Sequence, residues 1–218
     1  MLVKDWMTRE VITVDEDVSI MKASKILKEK GFQHLPVMKQ GRLTGIVSDR
    51  DLKEAHPSKA TTLDIHELYY LLDKLKVGKV MSKNPHTVRG DETTDKAAAL
   101  MLKYHISALP VVDRGGDLQG IITKGDIFRV MVTVSGIYQA PLQLCLEIKD
   151  QPGSMRKVTD VIRAHGGRMV SMITTYEQAT KGFRHLYIRT KDVENKEALF
   201  AELESKFKLI YRIYDEVE

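Results

Sequence analysis

The chain has 218 residues, of which 43% are hydrophobic, 6% aromatic and 29% charged. This composition supports a globular protein of one or two domains and excludes disorder as its main character. The 34 basic and 30 acidic residues leave a net charge of only +4 and are interspersed along the chain. That pattern argues against a nucleic-acid partner or an anionic membrane surface.

The single cysteine, Cys145, excludes an internal disulfide and fits a reducing compartment. The chain start has no basic segment followed by an apolar one, as a signal peptide would have. No stretch approaches the roughly 20 mostly apolar residues that a spanning helix needs. We therefore expect a cytoplasmic protein without a membrane segment.

A tandem repeat fills the first part of the chain. Val3–Val14 (VKDWMTREVITV) aligns with Val77–Val88 (VGKVMSKNPHTV) at an offset of 74 residues, which is 77 minus 3. After one inserted residue the offset becomes 75, and it pairs Asp51 with Asp126. Each copy predicts the order β-α-β-β-α, starting with a short strand that ends in Thr-Val. Neither copy alone covers its apolar hairpin face, so we expect the two copies to pack as one unit.

We place the first copy at residues 1–60, a helical insertion at residues 61–76 and the second copy at residues 77–134. The insertion has apolar residues at helical spacing, among them Leu68 and Leu72. His66-Glu67 resembles the start of the HExxH zinc motif, but Tyr70 stands where the second histidine is needed. Solvated helix residues are therefore the better interpretation of this pair, and we expect no metal site.

The candidate chemistry lies where the hairpin of each copy leads into a helix. Ser48-Asp49-Arg50-Asp51 and Thr123-Lys124-Gly125-Asp126 both place a hydroxyl and, three residues later, a carboxylate at a helix start. The helix N-terminus and the hydroxyl favour a phosphate, and the carboxylate can accept hydrogen bonds from both ribose hydroxyls. The alternative is a plain N-cap with an acidic first turn. The duplication favours the nucleotide interpretation.

These motifs, with Leu35-Pro36-Val37 and its counterpart Leu109-Pro110-Val111, resemble a tandem pair of CBS domains, a Bateman module. The resemblance implies clefts for AMP, ADP, ATP or a related adenosine compound as a regulatory ligand, with no required cofactor. It implies that Asp51 and Asp126 hold ribose hydroxyls and that Ser48 and Thr123 face phosphate. The adenine slot would be lined by Thr13, Thr87 and the backbone around His34, Leu35, Pro36, Ala108, Leu109 and Pro110. Arg50 aligns with Gly125 and Lys124 with Asp49, so the two clefts are not expected to be equally occupied.

Residues 141–218 predict a second domain with the order βαββαβ, a ferredoxin-like sandwich. The overall fold class is therefore α+β. The predicted strands are Leu142–Ile148, Met169–Tyr176, Phe183–Thr190 and Leu209–Tyr214, with helices around Val158 and Leu203. This order serves many functions and does not by itself indicate one.

The turn after the first of these strands carries Asp150-x-Pro152-Gly153-x-Met155, which is similar to the D-x-P-G-x-L signature of ACT domains. The resemblance implies an amino acid or another small metabolite bound at this turn. Gly153 would let a carboxylate approach the N–H groups of the helix start. The alternative is that Pro-Gly only forms the turn and the domain only dimerises. The whole domain arrangement resembles the acetoin-utilisation regulatory proteins of the acuB type.

The sequence contains no nucleophile–base set, Walker lysine loop or histidine cluster, so we expect no catalytic residues. Cys145 lies in an apolar alternation that favours an inert core thiol, and His34, His105, His165 and His185 occur singly. We expect a non-catalytic, ligand-sensing homodimer that acts on an unidentified target enzyme. The alternatives are a small enzyme, or a nucleic-acid-binding or scaffold protein that uses the CBS pair only for dimerisation.

Overall fold

A computed structural model describes residues 1–55 and 73–215 of the chain. Most of the predicted helical insertion, residues 61–76, lies outside the described residues. Only residues 73–76 of the insertion are described, and of these Asp73 and Lys74 are helical. The chain divides into two compact units, Met1–Phe128 and Arg129–Glu218.

The first unit contains both copies of the repeat, each in the predicted order β-α-β-β-α. Copy one consists of β1 (Val14–Asp15), α1 (Ile20–Lys30), β2 (His34–Lys39), β3 (Arg42–Ser48) and α2 (Asp49–Glu54). After it come α3 (Val77–Val80) and β4 (Ser82–Lys83). Copy two consists of β5 (Val88–Arg89), α4 (Thr94–Lys103), β6 (Ala108–Val112), β7 (Leu118–Thr123) and α5 (Lys124–Ser135). Helix α5 continues past the boundary between the two units.

The predicted strand ending in Thr-Val is wrong in its extent, because β1 and β5 begin at Val14 and Val88 instead of ending there. The segment before each strand pairs with the opposite copy. In the first sheet, of order β1-β2-β3-β4, strand β4 of the copy-two leading segment lies against β3. In the equivalent arrangement, Thr8 of the copy-one leading segment bridges to Ile121 of β7.

This exchange of leading segments completes both cores. Val77 and Met81 are buried with the apolar residues of copy one, and Val3 is buried with those of copy two. The backbone repeats the exchange, since the N–H of Val3 donates to the carbonyl of Glu92 and that of Val77 to the carbonyl of Val18. The prediction that the copies pack as one unit is therefore confirmed, and the exchange gives its cause.

The second unit has the predicted order βαββαβ. It consists of β8 (Leu142–Lys149), α6 (Ser154–Ala164), β9 (Arg168–Thr175), β10 (Phe183–Lys191), α7 (Lys196–Lys206) and β11 (Lys208–Tyr214). The four strands form an antiparallel sheet of order β11-β8-β10-β9, which leaves β9 and β11 as edges. Alternate residues of β8 and β10 pack with α6 and α7 into one apolar core.

Cys145 is buried on β8, as expected for a core thiol, and burial raises its pKa. Among the residues that the structure describes, no helix is long and apolar enough to cross a membrane. The same residues include no group of three or more histidine, cysteine, aspartate or glutamate side chains suited to hold a metal ion.

Candidate functional site

The junction between β3 and α2 in copy one forms a compact hydrogen-bond network. The Asp51 carboxylate accepts hydrogen bonds from the Ser48 N–H and from the Ser48 hydroxyl, both at 2.7 Å through Oδ2. The Ser48 hydroxyl oxygen in turn accepts from the Asp51 N–H at 3.2 Å. This is a capping box, so both residues stabilise the helix start whether or not a ligand is present. Oδ1 of Asp51 has no hydrogen-bond partner among the described residues.

Copy two repeats the network at the start of α5. The Asp126 carboxylate accepts from the Thr123 N–H at 2.9 Å and from the Thr123 hydroxyl at 2.8 Å. The Thr123 hydroxyl oxygen accepts from the Asp126 N–H at 3.4 Å. The same geometry in both copies follows from the same residue spacing, as the sequence predicts.

Two glycines allow the leading segments to cross next to these networks. A Cβ atom at Gly45 of β3 would lie 2.3 Å from the Met81 sulfur and 3.1 Å from the Ser82 carbonyl oxygen. A Cβ atom at Gly120 of β7 would lie 2.6 Å from the Met7 sulfur and 2.8 Å from the Thr8 carbonyl oxygen. A larger residue at Gly120 would displace the Thr8 backbone, and one at Gly45 would displace the Met81 side chain. The two glycines thus allow the close approach that brings residues of one copy to the helix start of the other.

A cavity of about 750 Å³ lies at the Asp51 network, and we call it the Asp51 cleft. Copy one contributes Gln33, His34, Ile46, Ser48, Asp49, Arg50 and Asp51. Copy two contributes Ser82, Lys83, Asn84, Pro85, His86, Tyr104, His105, Ile106, Ser107, Ala108 and Lys124. The volume is within the range of about 300–1,000 Å³ that small-molecule sites occupy. The cleft therefore exists only because the two copies pack together.

Three cationic side chains line the Asp51 cleft: Arg50, Lys83 and Lys124. None of them forms an ion pair with a carboxylate in the described part of the chain. The acidic neighbour Asp49 is paired instead with Lys53, at 2.5 Å. The cleft thus presents cations that are available to a phosphate group beside a carboxylate that is available to hydroxyl groups.

His34 connects the two copies inside this cleft. Its Nε2 atom lies 2.9 Å from the Ser107 hydroxyl oxygen, a hydrogen bond between β2 and the segment that precedes β6. Burial lowers the pKa of His34 because it disfavours the charged imidazolium, and the negative charge of Asp51 opposes that shift. The pKa of His34 therefore depends both on the packing of the copies, which buries the imidazole, and on the charge of Asp51.

The cleft also contains an aromatic pair that the sequence did not predict. The rings of His86 and Tyr104 stack with their centroids 3.7 Å apart and an angle of 14° between their planes. With Lys83 they come from the copy opposite to Asp51, and motif spacing within one copy gives no indication of them. A comparison of the two copies could have found it, because copy one has Ile12 and Lys30 at the positions of His86 and Tyr104.

The structure brings together six of the predicted nucleotide-binding residues in the Asp51 cleft: His34, Ser48, Arg50, Asp51, Ala108 and Lys124. Thr123 and Asp126 form the equivalent network of copy two. The Leu35 and Leu109 side chains are fully buried in the two cores, so only their backbone can face a ligand. Pro36 and Pro110 are also buried, whereas Thr13 and Thr87 are exposed and do not line the Asp51 cleft.

The predicted effector turn of the second unit lies between β8 and α6. Asp150, Pro152 and Gly153 are exposed, and Gly153 adopts a left-handed φ of 83° as the N-cap of α6. No side chain caps this helix start. Nε of Arg184 lies 3.6 Å from an Asp150 carboxylate oxygen and has no hydrogen-bond partner among the residues that the structure describes. Met155 packs against the core and lines a cavity of about 620 Å³ between α6 and β9.

The CBS domain family model matches residues 3–58 and 77–133, which together make up just over half of the chain. An L-aspartate semialdehyde sulfurtransferase from Methanocaldococcus jannaschii is 35% identical over 130 residues, covering 59% of this chain and 23% of that protein. A CBS domain-containing protein from Dictyostelium discoideum is 32% identical over 134 residues, covering 61% of this chain and 92% of that protein. The chain thus spans about a quarter of the length of the first of these curated relatives.

Solved structures give the same picture for the first unit. The CBS domain pair of protein MJ0100, in complex with 5′-methylthioadenosine and S-adenosyl-L-methionine, is 34% identical at a TM-score of 0.51, over 61% of this chain and 97% of that one. CBSX2 from Arabidopsis thaliana, in complex with AMP, is 35% identical at a TM-score of 0.50, over 61% and 97%. A Vibrio cholerae protein described as an acetoin utilization protein (AcuB) is 26% identical at a TM-score of 0.52, over 64% and 96%.

Proposed function

The chain belongs to the CBS domain family, and from that premise we propose that it is a non-catalytic regulatory protein that binds an adenosine nucleotide in the Asp51 cleft. One observation carries the proposal. The cleft combines the open Asp51 carboxylate oxygen with Arg50, Lys83 and Lys124, none of which is ion-paired in the described residues. A carboxylate suits a ribose diol and the cations suit phosphates. The complexes of similar CBS pairs with AMP, S-adenosyl-L-methionine and 5′-methylthioadenosine support this ligand class.

In this proposal Ser48 and Arg50 hold phosphate, Asp51 holds the ribose, and the backbone around His34–Pro36 and Ala108–Pro110 lines the adenine slot, with Thr13 and Thr87 at its border. Lys124 adds a further cation to the Asp51 cleft, and Thr123 and Asp126 serve the equivalent site of copy two. We further propose that the chain consists of two repeats, at residues 1–60 and 77–134, and an ACT-like domain at residues 141–218. The relatives that are enzymes are about four times as long as the stretch that matches, which supports a regulatory role for that stretch.

Calorimetry tests the ribose contact most directly. We expect AMP, ADP or ATP to bind the wild-type chain, and Asp51→Asn to weaken binding by about 1.5–3 kcal/mol, which is tenfold or more in Kd. The amide keeps an oxygen for the Ser48 N–H, so the helix start is preserved. Asp95→Asn is the matched control, because Asp95 is a first-turn carboxylate of α4 outside the cleft. Asp126→Asn makes the same measurement for copy two.

A second ligand sharpens this experiment. We expect 2′,3′-dideoxy-AMP to bind the wild type more weakly than AMP and to bind Asp51→Asn about as well as AMP does. If Asp51→Asn still distinguishes the two ligands as the wild type does, the carboxylate is only part of the capping box. If no adenosine compound binds the wild-type chain, the proposed function is wrong.

We also propose that the second unit is an ACT-type domain that binds an amino acid or another small carboxylate at the Asp150–Gly153 turn. The support is the helix start of α6, which has no side-chain cap, and the nearby Arg184, whose Nε lies 3.6 Å from the Asp150 carboxylate without a hydrogen-bond partner among the described residues. The Ser154 N–H donates to the Gln151 carbonyl at 3.3 Å, so an anion would be held by the N–H groups that follow it in the first turn of α6. Calorimetry with the amino acids tests the proposal, with Arg184→Gln expected to weaken binding tenfold or more. Equal binding by wild type and Arg184→Gln contradicts it.

The proposed homodimer would pair the second units through β9. Between Met169 and Thr175 this edge strand carries no charge and no proline, and Val170, Met172 and Ile173 are exposed. The opposite edge, β11, carries the charged residues Lys208 and Arg212. An uncharged apolar edge favours pairing with another strand, whereas a charged edge does not. Light scattering should report a smaller mass for Met172→Lys than for the control Ile210→Lys on β11.

We also propose that the chain acts in acetoin utilisation, through a target enzyme that is not identified. It is supported by the likeness to the Vibrio cholerae protein. Growth on acetoin with and without an intact gene for this chain tests it, and equal growth contradicts it.

A further inference from the structure

A second cavity of the first unit lies at the turn end of the β6–β7 hairpin, and we call it the hairpin cavity. Its volume is about 280 Å³, and it shares no lining residue with the Asp51 cleft. Val112 lines it at one end of β6, whereas Ala108, at the other end of this strand, pairs with Thr123 of the capping network. The hairpin cavity is therefore separate from the helix starts at which a nucleotide is expected.

Four cationic side chains line the hairpin cavity: Lys4, Arg9, Arg89 and Arg114. Arg89 is paired with Asp91, since its Nε lies 2.9 Å from Oδ1 of that carboxylate. Lys4, Arg9 and Arg114 form no ion pair with any residue in the ranges 1–55 and 73–215. Arg9 donates to the Lys4 carbonyl at 2.8 Å, which holds its guanidinium at the cavity. The cavity thus brings together three cations without a carboxylate partner in the described chain.

The two carboxylates that line the hairpin cavity have other partners. The hydrogen bond from Arg89 lowers the pKa of Asp91, and the positive charge of Arg114 lowers it further. Asp113 accepts hydrogen bonds from two backbone N–H groups of its own hairpin turn, at 2.8 and 3.0 Å. Four cations against two carboxylates leave the lining with a net charge of +2. This charge favours an anion from outside the chain.

Copy one supplies an anion of its own at the equivalent place. The Gly78 N–H donates to the Glu16 carbonyl at 2.9 Å, and the Glu16 carboxylate is paired with Lys39 at 2.8 Å. The same backbone contact recurs in copy two, where the Lys4 N–H donates to the Gly90 carbonyl at 3.0 Å. Gly90 aligns with Glu16 at the offset of 74 residues. Copy two therefore has no side chain where copy one places a carboxylate.

The charges around this position also differ between the copies. Arg89 aligns with Asp15, and Arg114 aligns with Gln40. The repeat therefore folds with an acidic or neutral residue at each of these places. Folding does not require the cations of copy two, so their convergence on a cavity indicates binding.

We propose that the hairpin cavity binds a compact anion that carries a phosphate group, in the place that Glu16 fills in copy one. The oxygens of a phosphate group can accept from Lys4, Arg9 and Arg114 together, whereas a carboxylate offers only two oxygens. The volume is just below the range of about 300–1,000 Å³ of drug-sized ligands, so it suits an anion of the size of phosphate or pyrophosphate. This site does not depend on nucleotide binding in the Asp51 cleft.

Calorimetry of the full chain with pyrophosphate tests the proposal. Arg114→Gln introduces the residue that copy one has at this position, so the variant should fold. We expect it to weaken pyrophosphate binding about tenfold or more, because a hydrogen bond between charged groups is lost. Arg42→Gln, at an exposed arginine of β3 outside both cavities, is the matched control and should bind as the wild type does. Equal Kd values for wild type and Arg114→Gln, or no binding by the wild type, would overturn the proposal.

Arg50→Gln distinguishes the hairpin cavity from the Asp51 cleft, whose cations could also hold pyrophosphate. A loss of binding in Arg50→Gln but not in Arg114→Gln places the anion in the Asp51 cleft and contradicts the proposal. A loss in Arg114→Gln supports the hairpin cavity whether or not AMP binds the chain, so the two proposals fail separately.

A double variant tests the comparison with copy one. Lys4→Gly with Gly90→Glu gives copy two the pair Gly78 and Glu16 of copy one, so a carboxylate of the chain should fill the cavity. We expect this variant to lose pyrophosphate binding at the hairpin cavity, and unchanged binding contradicts the proposal. Phosphate, glycerol 3-phosphate and succinate, titrated into the wild type, define the ligand. Succinate binding as tightly as pyrophosphate would show that the site does not select phosphate.

Discussion

The two copies of the repeat have the same backbone plan, and they differ most in the side chains that project from it. Gly45 and Gly120, Leu35 and Leu109, and the Ser48 and Thr123 caps are equivalent in position and contacts. The residues that the two copies share are those required by the crossing of the leading segments, by the two cores and by the two helix starts. Their presence in both copies is therefore explained by folding alone.

The positions at which the copies differ are more informative about function. Arg50 of copy one stands opposite Gly125, and the stacked His86 and Tyr104 of copy two stand opposite Ile12 and Lys30. Arg50, His86 and Tyr104 belong to neither core, although Ile12 packs against the core of copy one. The fold leaves such positions free, so their chemistry indicates binding more directly than the shared motif does. Each copy can therefore serve as the control for the other.

The largest expected effect concerns the shared cores. Leu35→Ala and Leu109→Ala each remove a fully buried side chain and should lower the free energy of unfolding by about 2–5 kcal/mol. Because each core includes a segment of the other copy, both variants should lower a single transition. Urea unfolding followed by fluorescence of Trp6, the one tryptophan of the chain, measures it. Two resolved transitions, one per copy, would show that the copies are independent; Lys30→Ala, an exposed change, is the control.

A smaller and equal effect is expected at the two helix starts. Ser48→Ala and Thr123→Ala each remove one capping hydroxyl and should cost about 0.5–2 kcal/mol in the free energy of unfolding. The exchanged variants Ser48→Thr and Thr123→Ser keep the hydroxyl and should cost little. The same urea experiment without nucleotide compares all four. A clearly larger cost at one helix start would contradict the equivalence of the two networks.

The order of elements could be predicted because its signals are local. The caps Ser19 and Thr93 accept from the Lys22 and Lys96 N–H groups, and the Gln40-Gly41 turn has the positive φ angles that a tight hairpin needs. The βαββαβ order of the second unit follows from similar turns and periodicity. Hydrogen bonding within a few residues fixes these features, so a short window of sequence contains them.

The crossing of the leading segments could not be predicted, because it depends on contacts about 40 or 110 residues apart along the chain, such as Met81 with Gly45 and Thr8 with Ile121. The composition of the Asp51 cleft was missed for the same reason, since Lys83, His86 and Tyr104 reach it from the opposite copy. The two-residue length of β1 and β5 was also missed, because the preceding apolar residues pair with the other copy and do not extend these strands.

The smallest expected effect uses a contact between the two copies that includes a histidine. His34 hydrogen-bonds to Ser107 across the copies, whereas its counterpart in copy two is Ala108. Burial lowers the pKa of His34, so between that lowered value and its usual value near 6.5 the unfolded chain binds a proton that the folded chain does not. Unfolding is therefore favoured as the pH falls through this window, and the stability of the first unit should be lower at pH 5.5 than at pH 7.5.

Replacing the imidazole isolates this contribution. His34→Gln keeps a polar partner for Ser107 but cannot titrate, so the difference in stability between the two pH values should shrink. His86→Gln, an exposed histidine of the same cleft, is the control. The carboxylates of the first unit whose pKa is lowered, Glu16, Asp91 and Glu92, gain their protons below the pKa of about 4.5 of a free carboxyl and do not contribute in this window. If His34→Gln keeps the full pH dependence measured by Trp6 fluorescence, the proton is bound elsewhere and the link between the copies is insensitive to pH.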